Sequence, residues 1–238
     1  MLKQFAQFLS EMKETKIFDV DGKKFTNDPD LEEIIPHVDR PSLMTVSSLD
    51  AICKLVRTEI ARNVCPLFVC AEKYNEVAVY STYRDDYTRD TLYMARADAP
   101  GLSLGWKSQQ EMIIALQSLV IPTESSAELL NMLKSMTDES SVTSRDNGVT
   151  QEVTVKTGVS LAKTVQVKPR VKLTPFRTFL EISQPESEYL VRVDKGNQIG
   201  LFEADGGIWK LEAKKSIAMY FKRELADLIE TGKVVVIR

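Results

Sequence analysis

The sequence predicts an α+β fold: antiparallel β-sheets with flanking amphipathic helices and a β-rich C-terminal half. Three observations carry that expectation. Apolar residues recur at helical spacing in separate windows, as in Leu49, Ile52, Cys53, Val56 and Ile60. Elsewhere they alternate with polar residues, as in Val153, Val155, Val165 and Val167. Finally, Asp146 to Ala213 is a run of β-type segments punctuated by turn residues, with no catalytic grouping inside it.

In chain order, Leu2, Phe5, Phe8, Leu9 and Met12 predict an N-terminal amphipathic helix. Such a stripe docks on its own core or on a neighbouring subunit, so Phe5, Phe8, Leu9 and Met12 are candidate oligomer-interface residues. Asp19–Gly22 reads as a turn. The prolines of IIPHVDRP exclude helix from the residues before them. Ser47-Ser48-Leu49-Asp50 then looks like a helix start, with a hydroxyl cap and an early carboxylate facing the positive helix end.

LFVCAEKY and EVAVYSTY read as two strands about Tyr74-Asn75-Glu76, followed by a charged loop tip, Arg84–Asp90, and a third strand, TLYMARAD. Ser108 three residues before Glu111 fits a capping box. That helix would present Met112, Ile113, Leu116, Leu119 and Val120, and stop at Pro122. Ser125 or Ser126 is expected to cap the next helix, with Leu129, Leu130, Met132, Leu133 and Met136 on its apolar face.

The polar stretch TDESSVTSRDNG suggests one compact unit of two lobes: 1–136 mixed α/β, 137–148 a polar loop or linker, and 149–238 β-rich, ending in a helix and a strand. Asn147-Gly148 and Thr157-Gly158 mark turns or a bulge. Pro169, Pro175 and Pro185 keep their strands from central positions. VRVDKGNQIGLFEA reads as a hairpin around Lys195-Gly196-Asn197. SIAMYFKRELADLIE reads as a helix with a serine start and a Gly232 stop, and VVVIR as a closing strand.

Composition narrows the function classes. A 238-residue chain that is 43% hydrophobic can bury a full core. Its net charge of −3 gives no general attraction to nucleic acid or anionic lipid. No apolar run approaches the ~20 residues that span a bilayer, so no membrane partner is expected. The three cysteines, Cys53, Cys65 and Cys70, have apolar neighbours and read as free thiols of a reducing compartment.

The catalytic inventory is thin, and no enzyme is expected. The single histidine, His37, lies in an irregular segment and reads as structural or solvent-facing. Cys65 and Cys70 form a C-x4-C pair with no partner pair, so neither metal nor cofactor is expected. No phosphate-cradling glycine loop and no G-x-S-x-G is present. Asp85-Asp86 reads as a solvated loop tip, and Asp205-Gly206-Gly207 as a strand-to-strand turn.

One region is basic. Residues 151–180 hold Lys156, Lys163, Lys168, Arg170, Lys172 and Arg177 against Glu152 alone, a local balance of +5. With Phe176 and Phe179 flanking Arg177, Lys163, Lys168, Arg170, Lys172 and Arg177 are candidate contacts for a single-stranded nucleic acid. Two other readings compete: lysines that protect strand edges above core phenylalanines, and a face that meets Glu181, Glu186 and Glu188 of a sister subunit.

DNGVTQEVTVKTGV, LTPFRTFLEISQPESEYLVRV and ADGGIWKLEA together resemble the YfdQ-like family of uncharacterised phage and prophage proteins. IIPHVDRPSLMTVSSLDAICKLV resembles a diverged version of that family's N-terminal half. The family's middle section is richer in histidine than YSTYRDDYTRDTLYMARADAPGLSLGW. The resemblance implies a phage origin and expression in the cytoplasm of a bacterial host. The expectation is a non-enzymatic phage accessory protein acting as a self-assembling homo-oligomer. Two alternatives stand beside it: a single-stranded nucleic-acid-binding accessory of phage replication or recombination, and an inhibitor of a host defence system that binds a protein or signal molecule.

Overall fold

The computed structural model describes residues 17–26, 40–62, 64, 66–84, 87–136, 143–146, 151–156, 162–194 and 198–238, with backbone alone for Phe18, Thr26 and residues 143–167. Its class is α+β, with mixed and antiparallel sheets and five helices among the described residues. The chain divides into one unit of residues 1–42 and 83–90 and another of 43–82 and 91–238.

In the first unit β1 (Ile17–Val20) and β2 (Lys23–Thr26) pair as an antiparallel hairpin. Asp21 (φ 53°) and Gly22 (φ 79°) both take the left-handed conformation a tight hairpin turn needs. The Asp19 carboxylate accepts the Gly22 N–H at 3.1 Å, so this acidic pair builds a turn. Within residues 83–90, Arg84 pairs with Asp90 at 2.7 Å, both side chains largely buried.

The second unit is built on two main sheets. The first has the order β14-β4-β5-β6-β3: β14 (Val234–Ile237), β4 (Leu67–Lys73), β5 (Glu76–Tyr80), β6 (Thr91–Arg96) and β3 (Met44–Val46). The strand pairs β4–β5 and β5–β6 are antiparallel as expected, whereas β3–β6 and β14–β4 are parallel. Parallel neighbours need a crossover, and helices supply it. α1 (Leu49–Ala61) carries the chain from β3 to β4, while α4 (Ile208–Glu224) and α5 (Ala226–Glu230) return it to β14.

Ser48 Oγ accepts the Ala51 N–H at 3.2 Å and caps α1. The expected stripe of α1 is the buried one, and it packs with Val69, Ala71, Ile217 and Phe221 in a first core. Each fully buried aliphatic side chain contributes about 1.5–3 kcal/mol.

The second sheet is antiparallel, in the order β11 (Arg170–Leu173), β12 (Ser187–Val193), β13 (Gln198–Glu203), β7 (Gly105–Ser108). Strict alternation buries Ser187, Tyr189, Val191 and Val193 of β12. α2 (Gln109–Leu119) and α3 (Glu124–Ser135) supply Met112, Leu116, Leu129 and Leu133 to a second core with Leu173, Tyr189 and Leu201. The Ser108–Glu111 capping box on α2 is present in both directions. A third sheet has the order β10 (Ala162–Val167), β9 (Gln151–Lys156), β8 (Thr143–Asp146).

Several expectations are corrected. The cap of α3 is Thr123, two to three residues ahead of the expected serines, and Ser126 serves at the third helical position. Thr143–Asp146, expected as linker, pairs with β9. The sheets ignore the boundary at 137–148, since β7 pairs with β13 and β14 with β4. α4 starts at Ile208 rather than Ser216, because Trp209, Ala213, Ile217 and Phe221, spaced by four, all face the core. The turns at Asn147-Gly148, Thr157-Gly158 and Lys195–Asn197 lie outside the described residues, although β12 and β13 do pair as the hairpin requires.

The first sheet and its helices hold three phenols in place. Burial, and next the hydrogen bonds Tyr93 Oη donates to Glu59 and Tyr80 Oη to Glu72, push both phenols up to about 12. Burial and then nearby thiol and carboxylate groups do the same to Tyr220. A folded-state pKa above the unfolded value means stability present below about pH 10 and lost as pH rises toward about 12. A phenolate titration should therefore show these tyrosines ionising with unfolding, later than free tyrosine. Y93F should lessen the alkaline loss of stability.

Candidate functional site

The segment between β11 and β12 runs from Thr174 to Glu186 and contains no regular element. Pro175 forms an isolated bridge with Val120, and Ile121 N donates to Thr174 O at 2.9 Å. Gln184 takes the place of a strand partner: its Oε1 accepts the N–H groups of Arg177 (3.0 Å) and Thr178 (3.1 Å), and its Nε2 donates to Phe179 O. This side chain holds the segment in a loop and aims successive residues in opposite directions. Phe179 enters the first core, Thr178 Oγ1 donates to Tyr74 O, and Arg177 turns toward the second sheet.

Arg177 is the centre of the arrangement, its side chain only 8% exposed. Nη1 donates to Tyr189 Oη at 3.0 Å and lies 3.4 Å from Glu203 Oε1. Nη2 donates to Pro185 O at 2.9 Å and to Ser187 Oγ. The guanidinium stacks on Trp209, with Cζ 3.6 Å from the ring centroid. Glu203 also accepts the Trp209 indole N–H. Burial pulls the Arg177 pKa below its ordinary value, while Tyr189, Glu203 and Asp205 draw it back. A guanidinium starts so high that it stays charged. Its Nε is the one buried side-chain polar atom without a partner among the described residues.

These groups line a cavity of about 300 Å³. Tyr74 meets Trp209 edge-to-face, with centroids 4.7 Å apart at 65°. The Lys210 ammonium stands 5.9 Å from the Tyr74 ring and 5.7 Å from the Trp209 ring. No carboxylate of the described residues lies within ion-pair reach of it. The positive end of the 17-residue α4 opens here, because Gly207 (φ 81°) offers no side-chain cap. Asp205 Oδ1 accepts the Gly207 N–H at 2.9 Å, so the Asp-Gly-Gly sequence is a helix start rather than a strand turn.

The sequence-predicted residues fare differently. Arg177, expected on a basic face, is buried, and its neighbour Phe179 is core. Lys168, Arg170 and Lys172 are exposed, but each meets a carboxylate of its own chain: Glu128 at 2.6 Å, Glu188 at 2.6 Å and Glu186 at 3.3 Å. Glu186 and Glu188 therefore serve this chain's own cations, and Glu181 accepts the Leu49 N–H.

Lys163 stands in β10 opposite Val155, its side chain outside what is described. Phe5, Phe8, Leu9, Met12, His37, Cys65, Asp85 and Asp86 also lie outside the described residues. Cys53 and Cys70 are free, and burial, followed by nearby carboxylates, pushes both thiols up to about 11. Among the described residues no group of three His, Cys, Asp or Glu is placed to hold a metal ion. None of the described helices is long and apolar enough to cross a membrane. No protein-family model, curated protein or solved structure matches this chain.

Sequence reasoning missed Trp209, Lys210, Tyr74 and Glu203 as a group, because Tyr74 lies far along the chain from the stretch that holds the other three. The spacing of Trp209, Ala213, Ile217 and Phe221 was the available signal that GGIWKLEA opens a helix.

Removing the guanidinium leaves the buried Tyr189 hydroxyl without its donor and the half-buried Glu203 with the Trp209 N–H alone. R177M should lower unfolding free energy by about 3–5 kcal/mol in a denaturant titration. R177K should recover little of it, since an ammonium cannot reach all four acceptors while stacking on the indole.

Proposed function

We propose that this chain is a phage-encoded, non-enzymatic accessory protein that captures a small planar molecule carrying an anionic group. Lys210 carries the reading: an ammonium at the mouth of an aromatic cavity, without a carboxylate partner, beside an uncapped helix start. The Tyr74 and Trp209 rings suit a flat apolar body, and the ammonium suits its charge. Glu203 is held by Arg177 and by the Trp209 N–H, an arrangement for fixing rings in place rather than for moving protons. Phage origin and action in the bacterial host cytoplasm rest on the family resemblance of residues 146–213. Sequestering a small signal molecule is one way such a protein interferes with a host defence.

In a W106F background, Trp209 is the sole indole reporter. Titration with mononucleotides and aromatic carboxylates should shift its fluorescence and raise the thermal midpoint. K210Q should weaken that binding about tenfold or more. No response to any of these compounds, with no small molecule carried through purification in native mass spectrometry, counts against the reading.

Self-assembly is favoured by a separate observation. β14 closes one side of the first sheet, with Val235 40% and Ile237 42% exposed. A short apolar edge of this kind can pair with its symmetry mate and extend the sheet across a two-fold axis. Light scattering at micromolar concentration should then give a multiple of 26.8 kDa, and V235E/I237E should return the monomer. A monomeric wild-type protein sinks this second reading.

A further inference from the structure

The second sheet has one covered face and one open one. Leu173, Tyr189, Val191 and Leu201 face the helices α2 and α3. Pairing register places the alternate residues together on the opposite face. Trp106, Gly200 and Arg192 stand in one row across β7, β13 and β12. Phe202, Leu190 and Arg170 stand in the next, followed by Glu188 and Lys172. Aromatic groups thus gather at the β7 edge, with Arg192 about 10 Å away, two strands over, and Arg170 and Lys172 one strand further on β11.

Gly200 is what lets the rings lie on this face. A Cβ there would fall 2.7 Å from the Phe202 ring and 2.9 Å from the Trp106 ring. The two rings meet edge-to-face, centroids 5.7 Å apart at 78°, while Trp106 remains 52% exposed. Covering a strand glycine needs only an apolar group. Keeping half an indole in water, over a flat support and on one face with three cations, is the arrangement by which single strands are bound through base stacking.

The cations are available. Arg192 donates to the carbonyl of its neighbour Val191 at 3.2 Å and has no carboxylate partner among the described residues. Arg170 and Lys172 hold Glu188 and Glu186 in exposed pairs, which are worth little and exchange readily for phosphate.

We infer that this open sheet face binds single-stranded nucleic acid, with a base stacked on Trp106 against Phe202 and the phosphates met by Arg192, Arg170 and Lys172. The interaction is independent of the Lys210 cavity on α4. It also moves the stacking role away from Phe176 and Phe179, which flank the buried Arg177.

The test is fluorescence anisotropy of labelled oligo-dT and oligo-U at low salt with the full chain, and a duplex as control. The inference expects both or either single strand to bind more tightly than the duplex. W106A should weaken binding about tenfold, and R192E should weaken it and reduce the salt slope by about one. W106F should retain most of the affinity. W106L separates stacking from mere cover: it shields Gly200 as well as an aromatic ring does, so unchanged binding in W106L overturns the proposal even if W106A fails to fold. Absence of binding by either single strand, or equal binding of the duplex, overturns it as well. K210Q should leave oligonucleotide affinity unchanged, which separates this face from the cavity.

Discussion

The Arg177 guanidinium and the loop that delivers it are what the second unit is organised around. A charged group with a side chain only 8% exposed persists only where hydrogen bonds replace the lost water. Here those bonds run to the phenol of β12, the carboxylate of β13 and two groups at the start of β12, while its flat face rests on the first turn of α4. The loop's adjacent residues do the same for the other core, Phe179 by apolar packing and Thr178 by bonding Tyr74 O. One irregular segment of a dozen or so residues thereby joins two sheets whose apolar cores are otherwise separate.

Such a junction is geometrically demanding, and the local chemistry shows how the demand is met. A loop without a strand partner has unsatisfied backbone groups, and the Gln184 amide supplies both the acceptor and the donor they require. Prolines at 175 and 185 remove two donors that would otherwise need partners. The orphan is Arg177 Nε, in the wall of the cavity that the junction creates. A polar, aromatic-walled cavity is thus a by-product of joining the two cores, and Lys210 gives that by-product a charge.

Legibility followed interaction range. Ser48 and α1, the Ser108–Glu111 box, the Tyr74-Asn75 turn and the alternation of β12 are written in contiguous residues, because caps and periodicity involve neighbours no more than four apart. The start of α4 was hidden because Gly-Gly followed by Ile-Trp carries turn and strand preferences that only packing of Trp209 overrides. The basic stretch was legible as a charge count, but not as a surface. Arg177 and Arg170 are seven residues apart, yet one is buried under Trp209 and the other is exposed beside Glu188. The parallel pairing of β14 was equally invisible, since a four-residue apolar strand carries no direction.

By itself, the sequence determined the α+β class, the first two helices of the described chain with their caps, and the apolar stripe that α1 buries, with Met112, Leu116, Leu129 and Leu133 of α2 and α3. Those features depend on backbone geometry and on which residues avoid water, both set locally. Only the tertiary structure decided which charges remain exposed, which aromatic rings stay half in solvent, and that Tyr74, Arg177, Glu203, Trp209 and Lys210 share one cavity. The physical reason is that desolvation and ion pairing depend on what the fold brings within a few ångströms, and the residues of this cavity lie as much as 136 positions apart in the chain.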